Sequence, residues 1–424
     1  MTTTSTASTT FTESRKRIAA AFDPRMLGAA LGQLGELMAE HFERVETSQG
    51  AVLNWREPEA NIADVRASLR TEPAEDTPDA RFRAIAAEML ARGQNLHDPR
   101  YLGHQVPACV PLAGVFDAIG SITNQVMAAY EMGPWATAIE HALVRELGEL
   151  IGFPAESFAG LVTHGGSLAN LTALLTARNV VMADVWQRGV AREGPRPVIV
   201  AQHDAHYSIA RAAGIMGMGT DQVIRSPLDA RRRLDPARLD LLLGELKAVG
   251  RPVIAVSACA CATPVGAFDP LEAVADVCQR HEVWLHVDAA HGGAAVLSER
   301  HRSLVVGLER ADSIVLDAHK MLFVPALCAF VFYKNREHRF AAFQQEAPYL
   351  FDPSAPALAE YDSGLRTLEC TKRAAVFGLY GIWRTFGRQL FADLIDVTFD
   401  LAQRFHAKLT AAPDFEPLHE PQCN

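Results

Sequence analysis

The chain has 424 residues, 49% of them hydrophobic and 21% charged, which suits one large globular domain with smaller terminal segments. Its formal net charge of −10 offers no basic footprint, so nucleic acid is not expected as a partner. Seven scattered cysteines, without a Cys-x-x-Cys pair and matching His spacing, speak against a disulfide framework or a structural zinc site. A reducing, cytoplasmic setting is expected, and no apolar run reaches the roughly 20 residues of a membrane helix.

Residues 1–12 are Thr- and Ser-rich with no apolar stretch, and read as a disordered tail rather than a secretory signal. Residues 13–95 read as an N-terminal helical arm. Within it, Phe22–Val45 places Leu27, Leu31, Leu34, Leu37 and Met38 on one face, a stripe that must be buried against the body or a partner chain. A loop-rich stretch, Asn54–Pro78, separates this helix from another near Ala80–Arg92. From about Gly93 the pattern changes. Helical periodicity over Leu112–Tyr130 and Ala136–Ile151 precedes β-branched runs at Leu161–Thr163, Val198–Ala201, Val253–Ser257, Val283–Val287, Ser313–Leu316 and Ala329–Tyr333. Helical patterns at Leu168–Arg178, Ser208–Gly217, Pro236–Val249 and Pro270–Arg280 alternate with them. Such alternation implies an α/β fold with a mostly parallel sheet covered on both faces. Residues 96–365 are assigned to this large domain.

In parallel sheets ligands bind beyond the carboxyl ends of the strands. After the first run, Thr163-His164-Gly165-Gly166-Ser167-Leu168-Ala169-Asn170 opens a helix whose N-terminus can cradle a phosphate; an ordinary turn with a Ser N-cap is the plain alternative. After the second, His203-Asp204-Ala205-His206 offers an imidazole that could stack on a planar ring or simply bond the backbone. Asp288, at the end of Val283–Val287, needs a cation if buried, and a protonated pyridinium would serve; a helix N-cap is the alternative. Lys320, past Ser313–Leu316 within Asp317-Ala318-His319-Lys320, could be a desolvated imine-forming amine or a surface lysine. A phosphate cradle, a ring-stacking His, a pyridinium Asp and an imine-forming Lys in this order make a complete pyridoxal 5'-phosphate (PLP) set.

With His-Val-Asp-Ala-Ala at 286–290 and the His319-Lys320 pair, the chain resembles the group II PLP-dependent amino-acid decarboxylases, whose members act on glutamate, cysteine sulfinate, aromatic amino acids and 2,4-diaminobutyrate. The resemblance implies an aspartate-aminotransferase-like, fold type I large domain with a mostly parallel seven-stranded sheet. It implies that Lys320 carries PLP as a Schiff base, Asp288 binds the pyridine nitrogen, His206 and Ala290 flank the ring, and Gly166 and Ser167 hold the phosphate. Thr263 and His319 are expected beside the cofactor.

Tyr349-Leu350-Phe351 followed by Tyr361-Asp362-Ser363-Gly364 resembles the family's mobile loop, which makes Tyr349 the donor that reprotonates Cα. The segment Asp98–Gln105 resembles the strand lining the substrate pocket, with His104 at a specificity position and Gln105 beside it. Departures include Ser257–Thr263, where only Thr263 keeps a hydroxyl near the strand end, and Asp317-Ala318, where many members have Asn-Pro. Residues 366–424 are expected to be the incomplete start of a small C-terminal domain. The implied activity is decarboxylation of an L-amino acid to its amine by a homodimer; an aldehyde-forming or transaminase-like PLP enzyme and a non-catalytic PLP-fold binding protein are the alternatives.

Overall fold

A computed structural model describes all residues except 1–3, 72–77, 191–192 and 344–357, and the backbone alone for 4–11. It divides the chain into two units, 1–108 and 109–424.

The first unit is helical. Pro24–Glu46 begins at Asp23, whose side chain caps Arg25 N–H, and it packs against Pro78–Arg92. Two local expectations fail. Residues 4–12, expected as a tail, belong to helix Thr4–Ala21, whose second half (Glu13, Arg15, Lys16, Arg17, Ala19–Ala21) consists of strong helix formers. The stretch Asn54–Pro78 contains helix Pro58–Arg70, because a proline at the first helical position starts a helix rather than breaking one.

Among its described residues the second unit holds nine strands: β1 Val126–Met127, β2 Ala159–Thr163, β3 Val198–Gln202, β4 Val223–Ser226, β5 Val253–Cys259, β6 Leu285–Asp288, β7 Ser313–Asp317, β8 Ala329–Tyr333 and β9 Lys372–Arg373. Seven form one sheet in the order β2-β8-β7-β6-β5-β3-β4, with β8 antiparallel to both neighbours and the rest parallel. β1 and β9 form a separate antiparallel ribbon. The six runs read from the sequence are all present. β4 was missed because Val-Ile-Arg-Ser is too short to stand out from its surroundings.

Helices cover both faces of the sheet, and its side chains are divided between two cores. On β8, Phe330 and Phe332 join one core with Leu147, Val256 and Phe391, while Ala329, Val331 and Tyr333 join the other with Leu174, Ile199 and Ile209. The helix expected over Leu112–Tyr130 stops at Ile122, just before Asn124 adopts a left-handed conformation at φ 51°.

Residues 366–424 are not a separate body. Helix Phe377–Phe386 packs against Pro111–Ile122, with Gly381 under the Phe116 ring, and Phe391, Ile395 and Phe399 of helix Gln389–Ala411 enter the main core. Their buried side chains belong to the core of the large domain, so the boundary falls after Ala108 rather than at residue 95 or 365.

Candidate active site

A cavity of about 280 Å³ opens at the carboxyl ends of the central strands. It is lined from β2 and the following helix by His164, Gly165, Gly166, Ser167 and Asn170. His206 and Tyr207 follow β3, Cys261 and Thr263 follow β5, and Asp288, Ala290 and His291 belong to the end of β6 and beyond. Asp317, His319, Lys320 and Leu327 come from the β7–β8 connection. Every cavity residue expected on the large domain except Tyr349 is therefore brought together: Gly166, Ser167, His206, Thr263, Asp288, Ala290, His319 and Lys320. Tyr349 lies outside the described residues. His104 and Gln105 belong to the 1–108 unit, where His104 N–H donates to the Tyr101 hydroxyl at 3.2 Å.

The helix Gly166–Val181 starts directly from the end of β2. Gly165 is its N-cap, with φ 104°, a conformation that favours glycine. Ser167 is therefore not the cap but the second helical residue, which leaves its hydroxyl free of capping duty at the positive end of the helix. Gly166 needs to be glycine for space, since a Cβ there would lie 2.6 Å from Asp317 Oδ2.

Asp288 is 7% exposed. Its Oδ1 accepts Ala290 N–H at 3.2 Å and its Oδ2 accepts Asn170 Nδ2–H at 2.8 Å, so it is no helix N-cap but a carboxylate held at the cavity wall. Behind Asn170 a chain of hydrogen bonds has one direction only. Trp284 Nε1–H donates to Ser313 Oγ at 2.9 Å, which must then donate to His286 Nδ1 at 2.9 Å. His286 Nε2–H donates to Asn170 Oδ1 at 2.9 Å. Burial pushes the His286 pKa down to about 4, so the ring is the neutral relay this chain requires. Asn170 gives its other amide hydrogen to Ser208 Oγ at 2.9 Å. Ser208 Oγ lies 2.8 Å from His206 Nδ1, which also accepts Ser208 N–H at 3.3 Å. His206 Nδ1 is thus the unprotonated nitrogen, and burial lowers the pKa of the ring, keeping it neutral.

Lys320 sits on the short turn Ala318–Met321 between β7 and β8. Its Nζ is 3.2 Å from Asp317 Oδ2. His319 Nδ1 lies 2.9 Å from Cys328 O and 3.3 Å from Cys328 N, which closes the β7–β8 connection behind the lysine.

This donor set fits pyridoxal phosphate. A glycine-lined helix N-terminus suits the phosphate, a buried carboxylate suits a ring nitrogen, neutral His206 and the small Ala290 suit a planar ring, and a single primary amine suits its aldehyde. Sequence reasoning gave no role to Asn170. Its place four residues after Gly166, on the same helix face, was the available signal. Among the described residues, no cluster of three or more His, Cys, Asp or Glu is placed to hold a metal.

Comparison with known proteins agrees with this geometry. The model of the pyridoxal-dependent decarboxylase conserved domain matches residues 86–424. Human cysteine sulfinic acid decarboxylase is 31% identical over 404 residues, covering 94% of this chain and 80% of that protein. The crystal structure of mouse CSAD superimposes with a TM-score of 0.84 at 28% identity, covering 95% of this chain and 83% of that one. The fold is also shared by Oryza sativa TDC, solved with PLP and tryptamine, with a TM-score of 0.83 at 23% identity over 94% of this chain and 82% of that one.

The chain belongs to the pyridoxal-dependent decarboxylase family. It is accordingly an α/β PLP enzyme that decarboxylates an L-amino acid. Among the described residues, no helix is long and apolar enough to cross a membrane.

Proposed function

We propose that Lys320 holds the cofactor covalently through Nζ, that Gly166 and Ser167 receive its phosphate, and that Asp288 faces its ring nitrogen. His206 and Ala290 lie on the two faces of the ring, with Thr263 and His319 at the cavity wall. One observation carries this reading: an amine, a buried carboxylate and a helix N-terminus, from three distant parts of the chain, converge on one cavity. When bound, PLP draws electrons from the Cα–carboxylate bond as CO₂ leaves. The chain's own work is to orient and to manage protons. Asn170 and the Ala290 amide both donate to Asp288, which fixes its two oxygens at the cavity wall. Neutral His206 presents an uncharged face. Tyr349 returns a proton to Cα, and His104 and Gln105 take part in selecting the substrate.

Cysteine sulfinate, the substrate named for the human relative, is the first candidate to assay in a panel of L-amino acids. The decisive experiment replaces Lys320 with Ala. The variant is expected to lose both CO₂ release and the visible absorbance of the loaded enzyme, and borohydride reduction of the wild type should mark Lys320 in peptide mass spectra. A Lys320→Ala protein that still turned over would refute the assignment.

The same reading includes a cytoplasmic homodimer. No disulfide joins the seven cysteines, an arrangement that suits a reducing compartment. Val115, Ile119, Ile122 and Trp135 on the 109–424 unit are exposed, an apolar surface of the kind a second copy covers. A fully active monomer in sedimentation would refute the dimer.

A further inference from the structure

Residues 419–424 return to the turn that follows β5. Phe268 N–H donates to Gln422 Oε1 at 3.0 Å, and His419 Nε2–H donates to Val265 O at 2.8 Å. A Cβ at Gly266 would lie 3.2 Å from Cys423 Cβ, so glycine lets the two segments approach. The residues after β6 join the same place, because Gly292 N–H donates to Ala260 O at 3.0 Å. Cys261, Cys423 and His291 meet at this junction, and the roles given above to the cavity use none of them.

The Cys261 thiol hydrogen-bonds to the Cys423 sulfur, with His291 beside Cys423. His291 Nε2 is 2.7 Å from Asn424 Oδ1, while Asn424 Nδ2 turns to Met321 Sδ at 3.4 Å. An amide oxygen only accepts, so Nε2 carries the hydrogen and Nδ1 is the basic nitrogen. The hydrogen bond from Cys261 lowers the pKa of the Cys423 thiol; burial opposes this, and His291 reinforces the lowering. Cys261 is pushed the other way, by the same bond and by burial. Burial alone would lower the His291 pKa, but Cys423 and Asn424 more than offset it. The two thiols therefore share one proton next to an imidazolium, the setting in which a sulfur becomes reactive. Cys423 is 2% exposed, whereas Cys261 and His291 line the cavity.

We propose that Cys261 and Cys423 form an oxidative modification site, a dithiol that a hydroperoxide entering the cavity converts to a reversible disulfide. Cys261 begins as a thiol, Cys423 as a thiolate and His291 as an imidazolium. The Cys261 sulfur attacks one oxygen of the hydroperoxide, the O–O bond breaks, and the Cys261 proton passes to Cys423. The departing oxygen takes the proton of His291 and leaves as an alcohol, or as water from hydrogen peroxide. Cys261 is now a sulfenic acid. Cys423 gives its proton to His291 and its sulfur attacks Cys261. The S–O bond breaks, and hydroxide leaves with that proton as water. Two thiols have lost two electrons to one hydroperoxide. Because the second sulfur already touches the first, it captures the sulfenic acid before further oxidation. Such a bond forms only under oxidant and is reversed by thiols.

Graded hydrogen peroxide applied to the whole protein tests this. Remaining thiols are alkylated, and the unreduced digest is read by peptide mass spectrometry. The peptides carrying Cys261 and Cys423 are expected to be joined at oxidant levels that leave the buried Cys278 and Cys328 as thiols, and dithiothreitol should separate them. Oxidation of the exposed Cys370 reports that oxidant has acted. Cys370 oxidised while Cys261 and Cys423 are still alkylated would overturn the proposal. Separate sulfinic acids at Cys261 and Cys423, without the link, would do the same. Cys423→Ser should lose the link and leave a sulfenic acid at Cys261 that dimedone traps; trapping elsewhere only would count against Cys261 as the sulfur first attacked. His291→Gln should slow linkage roughly tenfold, and an unchanged rate would remove the imidazole from the scheme. The wild-type map decides the disulfide by itself should a variant not fold.

Discussion

Asn170 Nδ2 donates to Asp288 Oδ2 at 2.8 Å from the second turn of the helix that begins at Gly166. One amide side chain thereby ties the carboxylate expected at the ring nitrogen to the imidazole expected on the ring face, through Ser208. Replacing it breaks both links and leaves His286 Nε2–H buried without an acceptor. Asn170→Leu should weaken cofactor retention by about 1–3 kcal/mol, or roughly 5–150-fold in dissociation constant. Titration of cofactor-free protein with PLP, followed by absorbance, measures it. An unchanged constant would remove Asn170 from the site.

Glu140 and Lys372 form a second buried unit. Lys372 Nζ donates to both Glu140 oxygens, at 2.7 and 2.8 Å, and to Val162 O at 2.8 Å, while Glu140 Oε1 accepts Val162 N–H at 3.2 Å. The pair clamps β2 just before the cradle. Lys372→Met alone should cost about 3–5 kcal/mol, because it strands a buried carboxylate. Adding Glu140→Gln, which keeps an acceptor for Val162, should recover much of the loss. Denaturant unfolding of the two single variants and the double variant measures the coupling; strict additivity would contradict the clamp.

His141 carries a pH signature. Burial, reinforced by the nearby Arg366 guanidinium, pushes its pKa down to about 4, and Arg366 Nη2 donates to His141 Nε2 at 3.2 Å. An unfolded histidine titrates near 6.5, so between about pH 4 and 6.5 the unfolded chain binds a proton that the folded chain refuses. Stability from this group is complete above pH 6.5 and falls as the pH drops through that window. His141→Gln should reduce the slope of unfolding free energy against pH by up to one proton, about 1.4 kcal/mol per pH unit. His286 has the same sign and remains in both proteins, so the difference isolates His141. Identical slopes would show that His141 is not held neutral.

The sheet and the strand-end residues were legible because buried strands write themselves as continuous apolar runs, and a ligand site in such a sheet must follow them. Lys320, Asp288 and Gly166 each stood at a predicted strand end, and each lines the cavity. Asn170 stands four residues after Gly166, but on a helix buried from Ala169 to Arg178 residue type alone does not say which side chain faces Asp288. The alternative of Ser167 as the cap fails on the positive φ of Gly165, which places the cap two residues earlier and cannot be seen in residue types. The helix Pro58–Arg70 was hidden by treating proline as a breaker, and the division of the chain after Ala108 by assuming that the last segment keeps its own core.

Asp317 pairs with Ala329 where β7 and β8 meet, each strand flanked on its other side by a further one, β6 and β2. The connection carrying Lys320 is thus stapled at both ends by ladder hydrogen bonds and closed internally by His319. Local fraying has no place to begin there, unlike in a surface loop. Backbone amides of this hairpin should exchange with deuterium only as fast as the whole domain opens, while the outer strand β4 exchanges sooner. The amine proposed to bond the cofactor is thus mounted on a segment expected to be among the slowest to exchange in the molecule.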